Sequence, residues 1–492
     1  MRRLAPLAAA LAVALGVCAC SLGPAYRRPV VDIPPAFAAS PATAEAAWSS
    51  PRWWEGFNSP ELDALIAQAR AANQDLAAAA ARVVQADAQV RVSGAPLLPA
   101  LNGTGNFDYS RAGTGSSRGG GGRSAVVALP GAAGGAVALA GNSPRYFDFR
   151  TYSAQLQVSY DLDFWGRNRA LYRGAEATAL ATRFDQETVA LNVEASVANT
   201  YFALLAAQDR LRIAERNLRD AEAILAAYRA RLAAGTATAL DVSQQEALAA
   251  GERALIPSLR SQAEQQRIAL GILTGQPPER LRVEGGTLER LVLPLVEPGL
   301  PSGLLARRPD VAFAEANLAA QNGSVQAARA AFFPDVTLTA SGGLQSVALS
   351  SITGPGTLVA ALTAAVVQPI FDNGLRQGQY DQARGRFREL AATYRQSVLQ
   401  AFTDVETALA ALSYATEQER LEREAVRVAQ QSAAIATAQL QAGTIDIITE
   451  LNTQATLFND LDLLIQIRLA RFQALVNLYK ALGGGWSLEG SA

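Results

Sequence analysis

The chain has 492 residues, of which 43 are basic and 44 acidic, and it contains two cysteines and no histidine. The lack of histidine removes the commonest general acid or base and the imidazole metal ligand, so the composition argues against most enzymes and metal sites. A formal net charge of −1 with no basic tract gives no sign of nucleic-acid binding.

The first predicted element is a signal peptide at residues 1–19. Arg2 and Arg3 precede an apolar run that is too short to span a bilayer as a helix. A small residue, Ala19, stands before Cys20, as signal cleavage requires. The segment "VCACS" resembles a bacterial lipoprotein box, which implies a lipid on Cys20 at the start of an N-terminal extension, residues 20–58. The alternative is a secreted protein with an accidental cysteine pair.

Segments of alternating polarity predict β-strands. They are "LNGTGNFDYS", "YSAQLQVSYDLDF", "DVTLTASGGLQ" and the less regular, apolar "LVAALTAAVVQPIF". A Gly-rich run of low complexity separates the first two and predicts a long flexible loop. Period-two segments of about ten residues are typical of transmembrane strands, although soluble sandwiches contain similar ones. The predicted export of the chain favours transmembrane strands over those of a soluble sandwich.

Two long segments predict single helices. No proline occurs between Gly166 and Gly235, or between Gly374 and Gly443, and helix-forming residues fill both intervals. At 1.5 Å per residue, each interval makes a rod of about 100 Å. A further helix follows each rod, so Gly235 and Gly443 are predicted left-handed C-caps of two hairpins. Pro257 predicts a kink in the first return helix.

Leucine and aromatic residues recur every seven positions along these helices, which predicts coiled-coil seams. The first seam is Leu204, Leu211, Leu218, Leu225 and Leu232, with Ala207, Ala214, Ala221 and Tyr228 three positions further on. The second seam is Leu451, Phe458, Ile465, Phe472 and Tyr479.

The chain is internally duplicated. "RLAAGTATAL" at 231–240 matches "QLQAGTIDII" at 439–448 with an offset of 208, whereas Pro99 matches Pro334 with an offset of 235. The first copy therefore carries 27 extra residues, which fall in the Gly-rich run. The predicted repeats are residues 59–300 and 301–483, with a tail at 484–492.

Four strands cannot close a barrel, and an open sheet edge in lipid leaves backbone groups unpaired. The strands must therefore close with those of other copies. Two chains would give eight strands and a filled interior, whereas three give twelve strands and room for a lumen. Long rods that continue from such a barrel suit a conduit, which favours the trimer.

Four segments carry a resemblance to a known family. They are "CACSLGPAYRRP", "LLARRPDVAFAEANLAAQNGSVQAARAAFFPDVTLTASGG", "VVQPIFDNGLRQGQYDQA" and "QAGTIDIITELNTQATLFNDLDLLIQIRLARFQALVNLYKALGGGW". In order and spacing they resemble the outer-membrane factors of tripartite efflux pumps, the TolC/OprM type and its NodT-like lipoprotein branch. The resemblance covers essentially the whole mature chain.

The resemblance implies an α+β membrane protein that is a homotrimeric channel-tunnel. A twelve-stranded transmembrane β-barrel, four strands per protomer, would continue into a coiled-coil α-helical barrel across the periplasm. The partners implied are a periplasmic adaptor (membrane fusion) protein, an inner-membrane RND-type transporter and outer-membrane lipid. No cofactor is implied beyond the N-acyl and S-diacylglycerol lipid on Cys20. The location implied is the outer membrane.

The resemblance also assigns roles at the hairpin ends. Gly235, Thr236, Gly443 and Thr444 would form the tips that meet the adaptor. Asp241 matches an acidic residue that, in some relatives, pairs with a basic residue and so holds the aperture closed. The position of that basic residue is Ile445 here. Positions that line the constriction in relatives are Leu440, Thr449 and Asn452. For each polar tip residue, a solvated helix end is the alternative.

Three other functions compete with this one. A passive porin or the outer-membrane duct of a type I protein secretion system would share the barrel. An enzyme is not expected, because without histidine only carboxylate or Ser/Lys chemistry remains and no paired acids form a recognisable site. The function expected is a gated duct that exports small molecules from the pump. The transported substrates cannot be read from the sequence.

Overall fold

The computed structural model describes residues 26–34, 37, 50–113, 125–128, 136–139, 146–296, 301–304 and 306–486. The chain divides into two compact units. The sheet unit comprises the described parts of 90–173 and 323–384, and the helical unit those of 26–89, 174–322 and 385–492. Cys20 and the tail at 487–492 lie outside the described residues, so their predicted roles stay predictions.

The sheet unit contains the four predicted strands. They are β1 (Ala100–Gly113), β4 (Tyr146–Asp161), β5 (Asp335–Ser346) and β6 (Leu358–Val367). These strands form one antiparallel sheet in the order β1-β4-β5-β6. Within the described residues, β1 and β6 each have one strand neighbour, so both outer edges of the sheet are unpaired.

The Gly-rich run differs from its prediction as a flexible loop. It contains two short strands, β2 (Ala125–Ala128) and β3 (Ala136–Leu139), which pair with each other as an antiparallel hairpin. Their sequences, AVVA and AVAL, contain β-branched valine, which favours strands, whereas glycine dominates the composition around them. The prediction of loop structure is therefore wrong for these eight residues.

The two copies match in their long rods and return helices and differ in the helices before their strands. α1 (Pro60–Ala72) and α2 (Gln74–Gly94) precede the strands of the first copy, and α5 (Pro309–Ala330) precedes those of the second. The long rods are α3 (Arg167–Ala233) and α6 (Leu375–Gln441), each of 67 residues. The return helices are α4 (Ala239–Leu273) and α7 (Ile447–Ala481), each of 35 residues. α4 continues through Pro257, and its kink stays a prediction.

The helical unit is built on the predicted seams. Leu204, Ala221 and Leu225 of the first seam are buried, and so are Phe458 and Phe472 of the second. Leu232, at the end of the first seam, is 39% exposed. The largest core adds aromatic rings from the chain before α1: Phe57 lies 4.9 Å from Phe202 and 5.9 Å from Phe472 between ring centroids. The seams therefore supply part of this core, through Leu204, Ile465, Phe472 and Tyr479.

Among the described residues, one helix, α3, is long and apolar enough to cross a membrane by length and composition, and 56% of its most apolar window is buried in the protein. The core helix of a soluble protein passes the same test, so we assign no membrane span to α3.

Candidate functional site

The sheet presents two chemically different faces. Its register places Leu101, Val158, Ala340 and Leu362 in one row across the four strands. The next row, on the opposite face, is Asn102, Gln157, Ser341 and Ala361. Side chains alternate between faces along a strand, so the face of the first row is mainly apolar in the middle of the sheet, although it carries Arg111, Asp148 and Arg150 at one end. The opposite face is polar on β1, β4 and β5 around these rows. Leu362 is 74% exposed on the apolar face.

The first hairpin tip turns at Gly235, whose φ of +74° is left-handed. The N–H of Gly235 donates to the Leu232 carbonyl (2.9 Å), and that of Thr236 donates to the Arg231 carbonyl (2.8 Å). The Thr236 hydroxyl donates to the same Arg231 oxygen (3.1 Å). The two N–H bonds form a Schellman cap, and glycine provides the conformation that it needs.

The second tip repeats this cap. Gly443 has φ +71°, and its N–H donates to the Leu440 carbonyl (3.1 Å). The N–H and hydroxyl of Thr444 both donate to the Gln439 carbonyl, at 2.9 and 3.0 Å. The residues predicted as tips are therefore turn-forming residues, and Gly235, Thr236, Gly443 and Thr444 are all exposed.

The helices after the tips begin with side-chain caps. Asp241 forms a capping box: its Oδ2 accepts from the Thr238 N–H (2.7 Å), and its own N–H donates to Thr238 Oγ1 (3.2 Å). Asp446 caps α7 by accepting from the Thr449 N–H (2.7 Å). Hydrogen bonds from Thr449 lower the pKa of Asp446. Asp241 therefore has a structural partner within its own turn.

A small core joins the two tips. We define the tip core as Tyr228, Leu440, Ile447 and Glu450, all of which are buried. Ala237, Val242, Ile445 and Leu451 pack around it as partly buried neighbours. Leu440 is 9% exposed in this chain, and its place at an aperture stays a prediction. Any effect of Leu440 on an aperture is therefore expected to act through packing.

The exposed face at the start of α7 carries the other predicted aperture residues, because Thr449 and Asn452 are both exposed. It also carries Ile448, which is 52% exposed and which the sequence reasoning missed. The signal was present: with the offset of 208, Ile448 matches Leu240, which is exposed at the first tip. Ile448 also stands four residues before Asn452, on the same side of the helix.

Charged groups near the tips pair within the chain. Arg229 lies 2.7 Å from Glu246 in an exposed ion pair, and the Arg231 guanidinium lies 5.7 Å from the centre of the Tyr228 ring. Neither arginine has an ion pair with Asp241 among the described residues. The residues predicted from the sequence thus divide into a cap (Asp241), a tip-core residue (Leu440), a partly buried neighbour of that core (Ile445) and exposed surface (Thr449, Asn452).

Away from the tips, Glu419 is held by three arginines. Its carboxylate accepts from Arg423 (2.6 Å), Arg468 (3.1 Å) and Arg471 (2.9 Å). Burial acts to raise the pKa of Glu419, but these hydrogen bonds outweigh it and bring the value to about 2. The described residues contain no group of three or more His, Cys, Asp or Glu side chains that could hold a metal ion.

Comparison with known proteins gives one consistent result. The family described as outer membrane efflux protein matches residues 65–276 and 300–484. The pyoverdine export outer membrane protein OpmQ of Pseudomonas aeruginosa is 40% identical over 89% of this chain and 88% of its own. The cation efflux system protein CusC of Escherichia coli is 30% identical over 96% and 97%.

A solved structure extends this likeness to the fold. The open-state MtrE outer membrane channel of Neisseria gonorrhoeae superposes with a TM-score of 0.81 at 27% identity, covering 95% of this chain and 98% of MtrE. The matches thus cover both copies of the duplication, including the sheet and the hairpin tips.

Proposed function

This chain belongs to the outer membrane efflux protein family, and from that membership we propose that three copies form a gated duct for small molecules. As a family member it is an outer-membrane efflux channel of a tripartite pump. The proposal adds the trimer, the twelve-stranded barrel, the gate and the named kinds of partner.

The observation that carries the proposal is the two-faced sheet with unpaired edges. An apolar row such as Leu101, Val158, Ala340 and Leu362 suits contact with lipid, and the polar rows suit a water-filled lumen. The unpaired edges of β1 and β6 need partners in lipid, where each unsatisfied backbone group costs several kcal/mol. Pairing β1 of one copy with β6 of the next supplies them.

The helical hairpins supply the periplasmic part of the proposal. The 67-residue rods α3 and α6 are about 100 Å long at 1.5 Å per residue. Three copies would contribute six such rods to a helical barrel. The exposed turns at Gly235 and Gly443 would meet the adaptor, and an RND-type transporter would deliver the cargo.

The lipid on Cys20 and the division into repeats at residue 300 are parts of the same proposal. Acyl chains on Cys20 would anchor the extension at the outer membrane, each buried CH₂ group contributing about 0.8 kcal/mol. The barrel holds the chain in the membrane independently, so the lipid would serve sorting more than retention.

The test is the native mass of the detergent-extracted full chain, produced with its signal peptide in a Gram-negative host. We expect three copies, each beginning at an acylated Cys20. Cys20→Ala should lose the acyl mass, whereas Cys18→Ala should leave the mature mass unchanged. A closed assembly of two copies, or a monomer, would refute the duct.

The alternative functions separate in a second experiment. Crosslinking in cells that carry the neighbouring genes should capture an adaptor together with an RND-type transporter. Capture of an adaptor with an ATP-driven protein exporter would instead support a secretion duct. A trimer that conducts freely and binds no adaptor would support a porin.

A further inference from the structure

The tip core contains a carboxyl group that the proposed gate does not yet explain. Glu450 lies in the first turn of α7 and is 1% exposed. With the offset of 208, its counterpart at the first tip is Val242, an apolar residue. The first copy therefore has an apolar side chain at this position, whereas the second copy buries an acid there.

The hydrogen bonds of Glu450 satisfy only one of its oxygens. Its Oε1 accepts from the Thr437 hydroxyl (3.2 Å) and from the Gln454 side-chain amide (3.2 Å). Its Oε2 is buried and has no hydrogen-bond partner among the described residues. A carboxylate accepts at both oxygens, so an ionised Glu450 leaves a charged acceptor unsatisfied in the interior.

The unsatisfied atoms near Glu450 suit a protonated acid better than an ionised one. Gln454 Oε1 is buried and lacks a partner within the part of the chain that the structure describes. It is an acceptor, and a neutral Glu450 carries an O–H, which is the donor that such an acceptor needs. Protonation thus turns two unsatisfied acceptors into a possible donor and acceptor pair.

The facing helices bring little compensating charge. From α3, Tyr228 and Arg231 face this region; the Tyr228 hydroxyl is buried without a described partner, and the Arg231 guanidinium lies over the Tyr228 ring. From α4, Asp241 acts on Tyr228 and is held in its capping box. α6 contributes the neutral Thr437. No described arginine or lysine forms an ion pair with Glu450.

The geometry points to a pH-dependent latch: we propose that neutral Glu450 holds the two hairpin tips together and that its ionisation separates them. The latch joins the hairpins because Tyr228 belongs to the first and Leu440, Ile447 and Glu450 belong to the second. Its role in closing the duct rests on the proposed function, whereas the separation of the tips does not.

The direction of the pH dependence follows from burial. Burial raises the pKa of Glu450 above its ordinary value, and the hydrogen bond from Thr437 offsets this only in part. The packing energy is therefore fully present below the pKa of the separated state and is lost as pH rises through the raised value. Tip opening releases one proton in this window, so its equilibrium constant rises up to about tenfold per pH unit and is constant above it.

The test is hydrogen exchange of the full-length assembly, followed in peptides that cover residues 440–455 at pH 5, 6, 7 and 8. At each pH the wild-type rate is divided by the rate of Glu450→Gln, which removes the intrinsic pH dependence of exchange. We expect this ratio to rise by up to about tenfold per pH unit and then to become constant. The matched control is Glu246→Gln, which changes an exposed acid near the first tip. The wild-type rate divided by the rate of Glu246→Gln should not change with pH.

A ratio that stays the same from pH 5 to pH 8 overturns the latch. A rise that is also present in peptides of α4 remote from the tip core overturns it too, because the opening is then not local. The conductance of the same samples tests the duct separately from the latch. If the exchange ratio rises with pH but the samples show no channel activity, the latch is supported and the duct is refuted.

Discussion

The two hairpin tips have the same backbone turn and differ in the side chains that are buried beside it. Both end with a left-handed glycine and a threonine that donates twice to one carbonyl. At the first tip Leu232 is 39% exposed and Val242 is partly buried, whereas at the second Leu440 is 9% exposed and Glu450 1%. The turn is the same at both tips, and Tyr228 of the first hairpin packs with Leu440 and Ile447 of the second.

The largest difference in local stability between the tips is expected when the two equivalent leucines are replaced by alanine. Leu440→Ala removes a side chain from the tip core and should cost about 2–4 kcal/mol of local stability, because a buried cavity remains. Leu232→Ala, at the equivalent exposed position, should cost less than about 1 kcal/mol. Hydrogen exchange measures the difference, in residues 436–451 for Leu440→Ala and in the equivalent residues 228–243 for Leu232→Ala. Equal costs would mean that the tip core does not join the hairpins.

The glycines should respond alike, since the turn is what the tips share. Gly235→Ala and Gly443→Ala should each cost about 1–2 kcal/mol, because alanine resists positive φ. Space is not the reason, as an added Cβ meets no described atom within 4 Å at either position. Exchange of the last turns of α3 and α6 measures both. A cost at one tip alone would show that the two turns are not equivalent.

The helix caps at the two tips should differ in how their stability depends on pH. Thr238→Ala should cost about 1 kcal/mol at the start of α4, because the Asp241 N–H loses its side-chain acceptor. At α7 the lowered pKa of Asp446 makes its cap fully effective above the ordinary aspartate pKa, and the cap is lost as pH falls through the lowered value. Acid should therefore fray the first turn of α7 while neutral Glu450 tightens the core below it.

Two variants distinguish these opposite effects. Asp446→Asn should remove the acid-dependent fraying, and Glu450→Gln should remove the loosening at higher pH, when exchange is followed peptide by peptide. Fraying of α7 in acid that persists in Asp446→Asn would assign it to another group.

The smallest effect is expected at Asp241. Its carboxylate accepts from Thr238 in a capping box, and asparagine keeps an acceptor there, so Asp241→Asn should cost only a few tenths of a kcal/mol. In planar bilayers it should alter conductance slightly and weaken any cation preference more than closure. A severalfold rise in conductance would reveal a charged link between copies.

Most of the fold was predictable because its signals are local. The glycines at 166, 235, 374 and 443 bound proline-free segments of helix formers, and the observed rods begin and end within two residues of them. Strand alternation located β1, β4 and β5. The β2-β3 hairpin was missed because valine and alanine pairs stand among glycines, whose composition predicts no fixed structure.

The candidate site was less predictable because it depends on contacts between hairpins. Heptad spacing assigned Leu232 to a seam, yet nothing in that spacing shows that Leu440 is covered and Leu232 is not. A glutamate in a helix normally indicates a solvated face, yet Glu450 is buried at the same tip as Tyr228, which stands more than 200 residues earlier in the sequence. Ile448 could have been found from its match with Leu240.

The most direct test of the account is the conductance of the purified assembly in planar bilayers, compared among wild type, Leu440→Ala and Leu232→Ala. A duct closed through the tip core predicts a small wild-type conductance, a clear rise in Leu440→Ala and little change in Leu232→Ala. If both leucine variants conduct like the wild type while Asp241→Asn opens the channel severalfold, charge pairs between copies close the duct and the tip core does not.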